Sequence, residues 1–167
     1  MYEKITLEDK KRIEDEIRHR KLVVRPQAIK DVQEARAHGD LSENFEYKAA
    51  KQFKNQNESR IRYLERILKN AKIIASDTKE GEVGVNTLVT VYIPDDDEEE
   101  TYKLVTSMRG NSLENRISID SPLGKALQRH KVNDVVSVKV NDTYSYDVII
   151  KNIEKFHDDG TDELRKF

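Results

Sequence analysis

The chain has 167 residues, 37% charged and 36% hydrophobic, with a formal net charge of −2, a balance that fits a modest core joined to a long solvated helical element better than one compact globule. It has no cysteine, which excludes a disulfide framework and a thiolate zinc site. No stretch is apolar for the length of a signal peptide or a bilayer span, so a soluble cytoplasmic protein with no membrane partner is expected.

From Leu7 to Ala37 apolar side chains recur at Ile13, Ile17, Val24, Ala28, Val32 and Ala35, the three, four or seven residue steps of one helical stripe. A helix of that length is on the order of 45 Å long. Pro26 lies inside it and predicts a kink or a helix restart, because proline donates no hydrogen bond and crowds the preceding turn. A second stripe runs from Phe45 to Ile74 through Ala49, Phe53, Ile61, Leu64, Leu68, Ala71 and Ile74. Gln52, Gln56 and Asn57 interrupt it, so the middle of the seam is expected to be looser than its ends. Between the arms, His38-Gly39-Asp40-Leu41-Ser42 leaves room only for a tight reversal, with Gly39 suited to the residue past a helix C-terminus. The arms are therefore expected to form an antiparallel coiled-coil hairpin over residues 1–76, with its tip at about 38–46. An apolar seam buried within one hairpin needs no second chain, so a monomer is expected.

Beyond Ile74 the pattern becomes strand-like: Asn86 to Ile93, Thr101 to Ser107, Arg116 to Ile119, Val135 to Val140 and Tyr144 to Ile153. Pro94-Asp95 opens an acidic run to Glu100 that reads as a connection between strands, and Asn141-Asp142 reads as a hairpin turn. Ser121 as N-cap and Pro122 at the first helical position predict a short helix through Leu127. This gives an α+β domain over residues 77–156, followed by a tail, 157–167, expected to fray. The charge differs between the parts: residues 1–77 carry 18 Lys and Arg against 14 Asp and Glu, and the remainder 12 against 18. A basic hairpin is compatible with a polyanion contact.

No nucleophile with a base, phosphate-cradling glycine loop or histidine cluster is present, so a self-sufficient enzyme is not expected. The feature that stands out is Asp40-Leu41-Ser42-Glu43, two carboxylates on an exposed turn at the far end of two long arms. Asp or Ser followed by Glu is also a helix-capping pattern, so the same residues have a purely local explanation. The alternative is half of a Mg²⁺ site, since that ion takes oxygen ligands and is commonly held by one or two carboxylates with a phosphate. Such a site is completed by another macromolecule.

The run from Ala35 to Tyr47, followed by Ala49-Ala50, resembles the hairpin-tip signature of the Gre transcript-cleavage factors. Ile117-Ser118-Ile119-Asp120-Ser121-Pro122-Leu123-Gly124-Lys125-Ala126-Leu127 resembles that family's C-terminal signature, and Arg25-Pro26 and Arg60-Ile61-Arg62-Tyr63-Leu64 fit the pattern between them. The resemblance covers roughly residues 6–153. It implies a coiled-coil N-terminal domain that enters the secondary channel of bacterial RNA polymerase and a C-terminal domain of FKBP-like fold docked at the channel rim. Backtracked RNA 3′ ends would then be cleaved at the polymerase active site, with Asp40 and Glu43 helping to hold a second Mg²⁺. No cofactor of the chain's own is implied. Arg36, Lys48 and Lys51 flank the tip and are candidates for RNA phosphates, or else ordinary solvated helix charges. Asp120, Ser121 and Pro122 match the segment that contacts polymerase and would also cap the short helix.

Two residues depart from the family pattern: Ser42 stands where a basic or other polar residue is common, and Phe45 where alanine is. The intact acidic pair favours a cleavage factor, with the modest basic excess pointing to the GreA subtype more than GreB. The main alternative keeps fold and partner but blocks the channel without promoting cleavage. A peptidyl-prolyl isomerase would need an aromatic-lined pocket, for which the tryptophan-free C-terminal part offers few side chains, and a generic coiled-coil adaptor would leave both signatures unexplained.

Overall fold

A computed structural model describes residues 2–39, 43–76 and 78–166. The chain is α+β and divides into two units, Lys10–Ala71 and a discontinuous one made of Met1–Asp9 with Lys72–Lys166.

Lys10–Ala71 is a helical hairpin. Its first arm runs through α1 (Leu7–His19), a π-helical turn (Arg20–Val24) and α2 (Arg25–Arg36), and its second arm is α3 (Phe45–Asn70). The wider turn is how the chain accommodates Pro26: the Arg25 N–H reaches back to the Arg20 carbonyl, and α2 restarts with proline in its first turn, where a missing donor costs nothing. No residue of the π turn is buried, and Leu22 and Val23 are more than half exposed. The first arm buries Ile13, Ile17, Ala28 and Ala35 as the stripe predicts.

The second arm differs from its predicted stripe. Ala49 and Phe53 are exposed, Lys72 to Ile74 leave the helix, and the buried face is Asn57, Arg60, Ile61, Tyr63, Leu64 and Ile67. Polar stitches take the place of apolar contacts along the middle. Arg25 grips Glu58 with two hydrogen bonds of 2.7 and 3.0 Å, Lys21 pairs with Glu65 at 2.8 Å, and Glu16 accepts from both Arg20 and Arg60 at 2.8 Å. Asn57, expected to interrupt the seam, is instead a buried cross-link: its Oδ1 accepts from Arg20 at 2.9 Å and its Nδ2 donates to the Arg20 carbonyl at 3.3 Å.

The other unit is built on a five-stranded sheet in the order β5-β4-β3-β7-β6: β3 (Thr87–Ile93), β4 (Glu98–Val105), β5 (Arg116–Ser118), β6 (Val135–Lys139) and β7 (Ser145–Lys155). All neighbours are antiparallel except β4 and β5, and a register shift in the β3–β7 pairing falls between Thr90 and Val91. The acidic run is only partly a connection, since Glu98 to Glu100 pair with β3 as strand. Alternation along β3, β6 and β7 turns Val89, Val91, Val136, Val138, Val148 and Ile150 into one core with Leu104 and with Leu127 of α4 (Pro122–Leu127). Each such aliphatic, fully buried, contributes about 1.5–3 kcal/mol. A two-residue parallel pair, β1 (Lys4–Ile5) with β2 (Lys72–Ile73), belongs to the same unit.

Both ends of this unit's sequence are held by polar contacts. Thr6 and Asp9 exchange backbone-to-side-chain hydrogen bonds of 3.1 Å at the start of α1, and the Thr106 hydroxyl donates to Asp9 at 2.6 Å. The tail expected to fray past Phe156 carries buried Asp158 and Asp162. Asp162 accepts from Lys103 at 2.9 Å and from Arg109 at 3.0 Å, and the fully buried Arg109 guanidinium also donates to Asn86 at 2.8 Å and lies 3.6 Å from Asp158. A cluster of cations reaching the tail explains its order. Burial pushes the Asp162 carboxyl up, but hydrogen bonds from Lys103 and Arg109 outweigh it and hold the group below the usual aspartate value.

Candidate functional site

The hairpin tip is built by the way α2 ends and α3 begins. α2 closes at Arg36, the His38 N–H donates to the Ala35 carbonyl at 3.1 Å, and Gly39 takes a φ of +139°, a conformation L side chains rarely adopt. Asp40, Leu41 and Ser42 lie outside the described residues; Glu43 follows them, exposed, in a turn. The N-cap of α3 is Asn44. Its Oδ1 accepts the Tyr47 N–H at 3.0 Å while its Nδ2 donates to the Ala35 carbonyl at 2.7 Å, so one amide caps one helix and satisfies an end carbonyl of the other. Among the described residues, the cap read from the sequence at Asp40 or Ser42 with Glu43 is thus made one position beyond the acids.

The three cations named at the tip fall into two groups. Arg36 donates to the Tyr47 hydroxyl at 3.4 Å with its guanidinium 5.6 Å from that ring's centre, and the Lys51 ammonium stands 6.0 Å from the same ring. The hydrogen bond from Arg36 lowers the Tyr47 phenol below its usual value of 10.0. Lys48 sits apart, 5.6 Å from the ring of Phe45, which is 79% exposed. Next to these, His38 Nδ1 and Glu46 are 3.0 Å apart. A shallow groove continues along α3, lined by Lys48, Lys51, Gln52, Asn55, Gln56 and Ser59. Sequence reading singled out Phe45 but missed the Asn44 cap and the pairing of the two rings with cations; the signal for the latter was there in the three and four residue steps from Phe45 to Lys48 and from Tyr47 to Lys51.

The second candidate region lies between β5 and α4. Asp120, Ser121 and Pro122 are brought together there, with Ser121 as N-cap: its hydroxyl accepts the Gly124 N–H at 3.0 Å and donates to the Ser118 carbonyl at 2.6 Å. Asp120 accepts from Ser107 at 3.1 Å and lies 3.6 Å from the Lys4 ammonium, which leaves its carboxylate part-exposed. Gly124 permits the turn, because a Cβ there would stand 2.0 Å from the Ser118 carbonyl oxygen. Among the described residues no group of three or more His, Cys, Asp or Glu is arranged to hold a metal ion, and no helix is long and apolar enough to cross a membrane.

A family model described as "Transcription elongation factor, N-terminal" matches residues 3–73, and one described as "Transcription elongation factor, GreA/GreB, C-term" matches residues 78–155. The chain is 44% identical over 137 residues to transcription elongation factor GreA of Thermoanaerobacter pseudethanolicus, covering 81% of this chain and 87% of that protein. It is 38% identical over 152 residues to the GreA of Streptococcus pneumoniae, covering 90% and 94%. Among solved structures, GreA factor homolog 1 of Thermus thermophilus is 29% identical, over 92% of this chain and 99% of that one, with a TM-score of 0.42.

Proposed function

This chain belongs to the GreA/GreB family of transcription elongation factors, and from that premise we propose that it lends its hairpin tip to the active site of bacterial RNA polymerase. In this reading the hairpin is an antiparallel coiled coil that enters the secondary channel, while the sheet-bearing unit is an FKBP-like domain that docks at the channel rim through Asp120, Ser121 and Pro122. Asp40 and Glu43 reach a backtracked RNA 3′ end and act as oxygen ligands. Mg²⁺ held there by these carboxylates and by the polymerase's own residues would activate the attacking water and stabilise charge on the phosphate oxygens. Arg36, Lys48 and Lys51 lie where they can neutralise phosphates of the extruded RNA. The polymerase does the cleaving; factors of this family are elongation factors and not themselves enzymes. The chain works as a monomer in the cytoplasm.

The observation that carries this reading is Glu43. It is exposed in the reversal, and among the described residues the capping of α3 is made by Asn44 and not by Glu43. Carboxylates suit Mg²⁺, a hard cation that keeps several waters and accepts one or two such ligands from a protein.

The test is a halted, backtracked elongation complex carrying 5′-labelled RNA, given Mg²⁺ and the wild type, Asp40→Asn or Glu43→Gln. Shortened RNA with the wild type, lost in both variants although they still bind polymerase, is the expected result. Intact RNA with slowed elongation by the wild type would replace this reading with that of a channel-blocking regulator.

A further inference from the structure

We propose that Phe45 is a stacking platform for an unpaired base near the RNA 3′ end, with Lys48 beside it to meet the adjoining phosphate. The inference rests on the function proposed above and names a recognition element within it.

Phe45 is the first residue of α3, 79% exposed, so its ring serves no core. Single exposed apolar side chains are ordinary, and exposure alone says nothing. What distinguishes this one is its company. The Lys48 ammonium stands 5.6 Å from the ring centre, one turn along the helix. The Tyr47 ring, in contrast, is half-buried and already carries Arg36 and Lys51. Glu43, two residues before Phe45, is exposed on the same approach.

An open aromatic face next to a cation is the combination by which proteins hold single-stranded nucleic acid without reading its sequence. Every base has a π-face for the ring, and the backbone phosphate takes the charge. The charge pattern argues for RNA over a protein wall: the described tip presents Arg36, Lys48 and Lys51 around its two rings, which suits a polyanion. Removing the ring should leave the fold intact, because Ala is the better helix former and the cap at Asn44 is untouched.

The experiment uses a backtracked elongation complex whose RNA carries 2-aminopurine, a base whose fluorescence is quenched by stacking, at its 3′ terminus. Mg²⁺ is first chelated so that no RNA is cut. Wild type and Phe45→Trp should quench the probe, while Phe45→Ala and Phe45→Leu should need about tenfold more protein for the same signal, within the range that one base on one aromatic gives. Equal quenching by wild type and Phe45→Ala overturns the proposal. Rescue by Phe45→Leu overturns it in favour of an apolar contact with polymerase, since leucine fills space but has no π-face. Restoring Mg²⁺ then separates the two readings. Cleavage without Phe45-dependent quenching leaves the proposed function standing and this inference fallen; Phe45-dependent quenching without cleavage does the reverse.

Discussion

Arg109 and Asp162 meet at 3.0 Å, the guanidinium fully buried and the carboxylate 7% exposed, although 53 positions separate them in sequence. The pair fixes the segment beyond Phe156 to the sheet-bearing unit, and Lys103 and Arg116 stand at 2.9 and 3.6 Å from the same carboxylate. Removing one partner of a buried pair costs about 3–5 kcal/mol where it leaves the other charge uncompensated. Asp158 at 3.6 Å and Asp9 at 3.9 Å still face the Arg109 guanidinium, so Asp162→Ala should lower the urea-unfolding free energy by about 1–3 kcal/mol, and deleting residues 157–167, which removes Asp158 as well, by more. A loss under about 1 kcal/mol would mean that the tail contributes nothing to the fold.

Two of the depressed carboxylates, one in each unit, illustrate the pH dependence. Burial raises Glu16, yet hydrogen bonds from Arg60 and Arg20 more than offset it; Asp162 is likewise raised by burial and lowered further by Lys103 and Arg109. Their usual values are 4.5 and 3.8. A folded value below the unfolded one gives stability that is present above the unfolded pKa and lost as pH falls through the folded one. Stability should thus be level from pH 8 to about 5 and fall once the medium is more acid than about 4.5. Arg60→Met should flatten the hairpin's share of that fall, read as the helical signal in urea at successive pH values.

Asn44→Ala removes the N-cap of α3 and the hydrogen bond to Ala35 together. The expected cost is about 1 kcal/mol, confined to the tip. Faster hydrogen exchange at the amides of residues 45–48, with unchanged exchange in β3 and β7, would show it; uniform acceleration would contradict it.

Gly124→Ala sets a methyl group against the Ser118 carbonyl, so the turn carrying Asp120 and Ser121 must move. Overpacking of this kind costs about 1–3 kcal/mol. Polymerase affinity should fall while the helical signal of the full chain, which comes mostly from the hairpin, stays constant. Unchanged affinity would separate this loop from docking.

The arms and the longer strands were legible because each follows one period, 3.6 or 2, and the short helix because Ser121 and Pro122 mark its start. What escaped had no local period. β1 and β2 have two residues each, partly charged, too few to show a period, and they pair only when the fold brings them together. Arg109 reads as a surface cation until Asp162, Asn86 and Asp158 are brought to it by the fold. The apolar seam of α3 was extended too far because Ala49 and Phe53 keep helical spacing with the buried face, while Asn57 and Arg60 show their burial only through their bonds to Arg20 and Glu16. At the tip the acidic positions were legible from the motif, and Asp40 lies outside the described residues. The cap was not legible, since Ser42 and Asn44 offer equivalent side chains and only the backbone path chooses between them.

The ion pair between Glu3 and Arg165, together with the 2.7 Å hydrogen bond from the Arg165 N–H to the Met108 carbonyl, sets an order of assembly during synthesis. Lys10–Ala71 forms a compact unit of its own, so the hairpin can close once its last residue is clear of the ribosome. The sheet-bearing unit must wait: β1 finds β2 early, but Glu3 meets Arg165 only when a position 162 residues later has been made. Contacts of such separation are slow to form, because the loop entropy is spent before any contact compensates for it. A nascent chain of this protein therefore displays a finished hairpin well before the unit that carries Asp120, Ser121 and Pro122 has folded.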